Sequence, residues 1–259
     1  LDAEARVTER TKAIMPVHYA SSSKGISDIY ALAHKYKLRV VEDAAQAFGC
    51  KRDSKKIGIE GDIVCFSFDG IKNITSGEGG AVLTRDETLL EKLKDGRLLG
   101  VQKDTENRFS GKRSWDFDVE NQGFRFHMSN INAAIGIEQL KRIENFKERR
   151  QTIVRQYLSQ FENIKSIKTL EFNYDEVLPH IFVIKVKDRD RLRQYLSDNG
   201  IECGIHYKPN HLLAKYRSDL ELPITESVYK EILTLPCHVD LTNKEQDFVI
   251  EKVKGFYAK

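Results

Sequence analysis

The sequence predicts an α/β protein, with a mostly parallel sheet in a larger first domain and a smaller C-terminal α+β domain. Three observations carry that expectation. A chain of 259 residues with 40% hydrophobic content can supply the core of one large α/β domain or two modest ones. Residues 12–42 read as strand, helix and strand in immediate succession, the βαβ unit that makes neighbouring strands parallel. Farther on, residues 180–186, 188–199 and 201–207 read as strand, helix and strand of a compact second unit. The division falls at residues 1–140 for the large domain and 141–259 for a linking helix and the small domain.

Each element has a local reason. Residues 1–6 are acidic and helix-like, with neither an apolar signal core nor an initiating Met, so the chain reads as starting in the middle of something. Residues 12–17 read as a buried strand. Ile26, Ile29, Ala33 and Tyr36 fall at helical spacing over 26–37, with Ser27 or Asp28 near the start. Residues 39–42 form the second strand and leave Asp43 at its carboxyl end, where open α/β sheets bind ligands. A polar loop over 51–61 precedes a strand over 62–68. There follow Asp69-Gly70-Ile71-Lys72, the turn Ser76-Gly77-Glu78-Gly79-Gly80, and a return to the sheet over 80–84. Leu89, Leu90 and Leu93 mark a helix over 86–98, whereas 101–121 lacks apolar periodicity and is expected to be a long surface loop. Ser129 caps a long helix through Ile131, Ala134, Ile135, Gln139 and Ile143, interrupted before Phe161. Gly200 stops the helix over 188–199. Thr242 with Glu245 makes a capping box before a last helix carrying Phe248, Val249, Val253 and Phe256.

Composition narrows the function. Lys plus Arg total 42 against 39 Asp plus Glu, and a net charge of +3 gives no reason to expect a nucleic-acid or membrane-surface partner. The densest apolar run, 63–68, is strand-sized, far short of the roughly 20 residues of a membrane helix. Cys50, Cys65, Cys203 and Cys237 form no CxxC pair, which suits reduced thiols of a cytosolic protein better than disulfides or a zinc site. Cys65 reads as buried and inert. His206 and His211 do not have the spacing of a metal-binding helix and no carboxylate matches them, so no metal site is expected.

Three residues have the chemistry of a site. Lys72 sits in a glycine-bounded loop after an apolar strand, where an amine can be partly desolvated; the alternative is a solvated surface charge. The segment Val40-Val41-Glu42-Asp43-Ala44-Ala45-Gln46-Ala47 delivers a carboxylate from a buried strand into a turn of small residues. Such an Asp needs a cation or several donors. A protonated pyridine nitrogen is one such partner, and the N-terminus of a helix starting at Ala44 is the other reading. Ser67, five residues before Lys72, can offer its hydroxyl to a phosphate beside backbone N–H groups.

Together, Glu42-Asp43-Ala44-Ala45-Gln46-Ala47, Phe66-Ser67-Phe68, Lys72-Asn73 and Gly77-Glu78-Gly79-Gly80 resemble the DegT-type family of pyridoxal-phosphate-dependent sugar aminotransferases. The resemblance continues through Thr11-Lys12-Ala13-Ile14-Met15-Pro16-Val17-His18, Met128-Ser129-Asn130-Ile131-Asn132-Ala133-Ala134 and Gly200-Ile201 to His206-Tyr207, nearly the whole chain. It implies a type I aminotransferase fold, with residues 1–140 as the remainder of the cofactor-binding domain. It makes Lys72 the Schiff-base lysine, Asp43 the partner of the pyridinium nitrogen and Ser67 a phosphate ligand. Gln46, one helical turn after Asp43, would lie near the ring and its phenolic oxygen, a solvated helix residue being the alternative. A substrate amine would displace Lys72, whose freed amine then shuttles a proton, while Asp43 keeps the ring nitrogen protonated. The family further implies glutamate as amino donor, a nucleotide-linked keto-deoxysugar as acceptor, a role in polysaccharide or glycosylated-metabolite biosynthesis, and a cytoplasmic homodimer with shared active sites. Lys72 itself argues against the family's dehydratase branch, in which the lysine is replaced.

The departures are informative. Where the family commonly has Gly-Tyr-Asn-Tyr-Arg-Met-Ser, this chain has Gly123-Phe124-Arg125-Phe126-His127-Met128-Ser129. In relatives that Asn reaches the cofactor phosphate of the neighbouring subunit, and Arg125 could do so with a charge-assisted contact; a plain surface Arg is the alternative. His206, Tyr207 and His211 lie where relatives place residues near the sugar or its diphosphate. Relatives begin with a segment carrying a Gly-Ser/Thr turn for the phosphate and a side chain that stacks on the ring, whereas this chain matches the region after it. The expectation is that this chain alone binds the cofactor weakly and is inactive or nearly so. Two other readings stay open: amination of a different ketone, such as a cyclitol or an aromatic precursor, and a catalytically incompetent fragment that serves as a binding module.

Overall fold

A computed structural model describes residues 2–102, 110–112 and 117–258. The chain divides into two compact units. The first comprises residues 1–18, 23–48 and 55–142, and the second comprises 19–22, 49–54 and 143–259.

The first unit begins with a short helix, α1 (Asp2–Ala5), and continues through β1 (Ala13–Ile14), α2 (Ile26–Tyr36) and β2 (Arg39–Asp43). In chain order there follow two-residue strands, β3 (Lys51–Arg52) of the second unit and β4 (Lys55–Lys56) of the first, with Asp53 and Ser54 between them in sequence at positive φ. Then come β5 (Ile63–Ser67), β6 (Gly80–Thr84), α3 (Glu87–Gly96) and α4 (Asn130–Lys141). The sheet order is β1-β2-β5-β6, parallel across the first three strands and antiparallel at β6. Period-two burial puts Val40, Glu42, Val64 and Phe66 inward and leaves Asp43 and Ser67 half-buried. The buried strand expected over 12–17 shrinks to two residues because Pro16 has no N–H for the ladder, and it is not buried, since it is the last strand in the sheet order and leaves Met15 and Val17 exposed; pairing resumes as a Val17–Asp43 bridge.

Side-chain caps open three of the described helices, at Asp86, Ser129 and Thr242. Asp86 accepts from Leu89 N ahead of α3, and Ser129 accepts from Asn132 N ahead of α4. Helix α2 instead starts from Gly25 in the left-handed region without a side-chain cap. The long helix expected to break before Phe161 breaks earlier, at Arg142 (φ −99°, ψ 1°), giving α4 and then α5 (Ile143–Phe161). Of the predicted loop over 101–121, residues 103–109 and 113–116 lie outside the described ones, and its described residues are in no helix or strand.

The second unit contains α5, β7 (Lys168–Thr169), β8 (Phe182–Lys185), α6 (Arg189–Asp198), α7 (Pro223–Glu231), β9 (Ile232–Leu235) and α8 (Asn243–Tyr257). The antiparallel order is β7-β8-β9. Its core joins Ile153, Tyr157 and Phe161 of α5 to Phe182, Ile184, Leu192, Leu233 and Val253, with the Tyr157 ring stacked on both Phe161 and Phe182. The guanidinium of buried Arg150 donates through one nitrogen to the carbonyls of Pro179, His180 and Cys237, which offsets the burial that lowers its pKa. The strand expected over 201–207 is reduced to a bridge between Gly204 and Thr234, and the sheet partner there, β9, was not expected from the sequence. Cys65, expected to be buried, is half-buried: its neighbours on that face are the half-buried strand-end residues, and burial and then Asp43 push its thiol pKa up.

Candidate active site

Asp43 is held from both sides. Its N–H donates to Pro16 O and its carbonyl accepts from His18 N, each at 2.9 Å, while the parallel register pairs it with Cys65 of β5. One carboxylate oxygen accepts from Ala45 N at 3.1 Å, an Asx turn that sends the chain off the strand. Residues 44–48 form no helix, so neither the alternative reading of Asp43 as the N-cap of a helix starting at Ala44 nor the helical placement of Gln46 is found. Gln46 is buried rather than solvated.

Ser67 ends β5, the neighbouring parallel strand, two residues beyond the partner of Asp43, and its hydroxyl accepts from Asp69 N at 3.4 Å. The carboxylate and the hydroxyl therefore stand at adjacent strand ends on one edge of the sheet. Beyond Ser67, Asp69 organises the turn that presents Lys72: its side chain accepts from Ile71 N and its carbonyl from Lys72 N, both at 3.1 Å. Lys72 is half-buried.

The return to the sheet needs glycine. A Cβ on Gly80 would sit 2.6 Å from the Phe66 carbonyl oxygen, and Gly79 at φ +151° would place one 2.6 Å from the Met128 terminal methyl. The same turn receives α4, whose Asn132 amide donates to Ser76 O.

Asn73 joins the two loops, a contact that the sequence does not reveal. Only 4% exposed, it donates from its amide nitrogen to Gln46 O at 3.3 Å and Phe48 O at 3.0 Å. It thereby fastens the Lys72 loop to the turn that follows Asp43. The Phe48 ring meets Phe66 and Phe68 edge-on, each at 5.2 Å between centroids, and closes the same junction from the apolar side. Its signal in sequence is only adjacency to Lys72.

Behind Asp43, on the opposite face of β2, Glu42 is fully buried. It accepts from the His18 ring and the Tyr30 hydroxyl, both at 2.7 Å, and that hydroxyl accepts from Asp62 N. The carboxylate is thus solvated by protein donors from β1's extension and from α2.

The remaining predicted residues have other settings. Arg125 is exposed in the first unit, with its backbone bridged to Leu98 and the Phe124 and Phe126 rings stacked at 5.1 Å beside it. In the second unit the His206 ring lies over Gly204, where a Cβ would come within 2.4 Å, and bonds Thr234 Oγ1 at 2.8 Å. The Tyr19 hydroxyl donates to His206 O at 2.7 Å, and burial, with a smaller contribution from Tyr207, pushes the Tyr19 pKa up to about 12. Tyr207 is exposed. His211 is buried, 3.0 Å from Glu226 Oε1, and that bond holds the Glu226 carboxyl below its ordinary range. Among the described residues no group of three or more His, Cys, Asp or Glu could hold a metal ion, and no helix is long and apolar enough to cross a membrane.

Known proteins place this arrangement. The spore coat polysaccharide biosynthesis protein SpsC of Bacillus subtilis is 34% identical over 265 residues, covering 97% of this chain and 68% of SpsC. PseC of Helicobacter pylori, an aminotransferase of pseudoaminic acid biosynthesis, has a TM-score of 0.90 at 28% identity, over 100% of this chain and 70% of PseC. Spr1654 of Streptococcus pneumoniae, known in both PLP and PMP forms, has in its PMP form a TM-score of 0.88 at 27% identity, over 99% of this chain and 72% of its own. The fold is that of the type I aminotransferases, which use pyridoxal phosphate, and the enzyme class is sugar aminotransferase. More particularly, residues 1–254 match the DegT/DnrJ/EryC1/StrS aminotransferase family, and the chain belongs to it.

The residues present suit the cofactor. The carboxylate of Asp43 and the hydroxyl of Ser67 end neighbouring strands and Lys72 stands on the loop that follows Ser67, the residue types that a pyridine nitrogen, a phosphate and an aldehyde call for.

Proposed function

We propose that the protein transfers an amino group from glutamate to a nucleotide-linked keto-deoxysugar, in polysaccharide or glycosylated-metabolite biosynthesis. It would do so in the cytoplasm as a homodimer with shared active sites. The observation that carries this reading is the meeting of two loops. Asp43 and Ser67 end adjacent parallel strands, and Asn73 ties the Lys72 loop to the turn after Asp43. The roles of SpsC and PseC support a sugar as the acceptor.

When bound, pyridoxal phosphate supplies an aldehyde for amine exchange and a ring that takes up the electron pair released on proton loss. Lys72 would hold the aldehyde through its amine and, when that amine is free, would carry a proton from the substrate carbon on its own Nζ. Asp43 accepts the ring N–H and keeps that nitrogen protonated. Ser67 donates to the phosphate, and Gln46 contacts the ring near its phenolic oxygen. Arg125 would hold the phosphate in the partner subunit, with a charge-assisted bond in place of a neutral one. Tyr207, His206 and His211 contact the substrate, the two histidines from side chains oriented by Thr234 and Glu226.

The chain, supplied with the N-terminal segment that its relatives carry, with pyridoxal phosphate and with glutamate, is assayed for 2-oxoglutarate against nucleotide-linked keto-sugars and against cyclitol ketones. Turnover with the former, lost in Lys72→Ala, is expected. Turnover confined to cyclitol ketones, or activity that survives Lys72→Ala, would contradict it.

A further inference from the structure

We propose that Asn73 is the positioning residue for Lys72, setting the root of the lysine side chain against the Asp43 turn so that amine and carboxylate address one cofactor. This rests on the reading of Lys72 as the Schiff-base residue. A lysine amine rides on four rotatable bonds, so where it can reach depends on how firmly its backbone is rooted. At Lys72 the local turn supplies one backbone bond, Lys72 N to Asp69 O at 3.1 Å, which fixes the loop only to itself. The bond to the rest of the site is made by the next residue. Asn73 reaches back 27 and 25 residues to the carbonyls of Gln46 and Phe48, and Gln46 lies three residues after Asp43.

The residue type suits the task. Two carbonyl oxygens of a buried turn require donors, and a carboxamide nitrogen offers two hydrogens on one short stem. Asp has the same shape but presents oxygen to oxygen. Gln keeps both donors on a stem one methylene longer. Gln46 is buried and Phe48 half-buried, with the Phe48 ring edge-on to Phe66 and Phe68, so solvent replaces the lost donor only in part.

The test compares the wild-type chain with Asn73→Ala, Asn73→Asp and Asn73→Gln. Pyridoxal phosphate is titrated by visible absorbance, the complex is reduced with borohydride, and the adduct on Lys72 is quantified by peptide mass spectrometry, with melting temperatures measured alongside. Leaving two buried carbonyls without their donor predicts cofactor affinity and Lys72 labelling down by about tenfold in Asn73→Ala, further in Asn73→Asp, and partly restored in Asn73→Gln. The rescue by Gln separates positioning from bulk stability, and it keeps the test open if Asn73→Ala does not fold. Equal affinity and labelling in wild type and a folded Asn73→Ala, or Gln no better than Asp, overturns the proposal alone. No adduct on Lys72 in the wild type overturns the lysine reading and the positioning role with it.

Discussion

Glu42 and Asp43 are adjacent acids with different surroundings, because strand geometry sends successive side chains to opposite faces. Glu42 turns inward to His18 and Tyr30, and Asp43 faces the half-buried edge where the turn begins. A third acid, Asp62, anchors the start of β5. It receives two bonds from Arg39, at 2.7 and 2.6 Å, and one from Val40 N at 3.0 Å. The Arg39 bond, as the largest cause, holds the Asp62 carboxyl below 3.8, and Asp62 in turn raises the Arg39 pKa. A carboxyl whose folded pKa lies below its unfolded one adds stability above the unfolded value and loses it as pH falls through the folded one. Asp62→Asn should therefore cost about 1 kcal/mol at neutral pH, because the pair is bidentate but partly exposed. Urea unfolding at a series of pH values should show that difference fading below about pH 4. A cost independent of pH would show that the ion pair is not its source.

At the scale of elements, the parts legible in sequence are those whose causes are local. The βαβ unit, α3 with Asp86 and α8 with its capping box follow from periodicity and caps within a few residues. The unforeseen parts have distant causes. β9 is a short apolar run after a charged helix, and what makes it a strand is pairing with β8, about fifty residues earlier in the chain. Residues 44–48 have helix-forming composition, yet the Asx turn at Asp43 and the two bonds from Asn73 make them turns. Residue types could suggest Lys72, Asp43 and Ser67, because strand ends and glycine turns are visible locally. Asn73 could not be assigned a role, since its partners lie 27 and 25 positions upstream.

At the scale of the molecule, the first unit carries apolar surface that its own elements do not cover. Helix α4 has no buried residue among those described, and Ile131 is 77% exposed, with Ile137 and Leu140 also exposed on it and Phe126 at 74% just before it. Exposed apolar area of this extent is what a subunit interface removes from water. The homodimer proposed above predicts that sedimentation velocity finds two copies for the wild-type chain and one for Ile131→Asp; a monomeric wild type would contradict it. The α4 N-terminus packs on the Ser76–Gly79 turn through Asn132 and Gly136, so the helix adjoins the Lys72 loop. Every part of the account converges on that lysine. The most direct measurement is peptide mapping of the 259-residue chain after incubation with pyridoxal phosphate and borohydride reduction. The account predicts one dominant adduct, on Lys72, and its disappearance in Lys72→Ala. Label spread evenly over the surface lysines, or concentrated elsewhere, would contradict it.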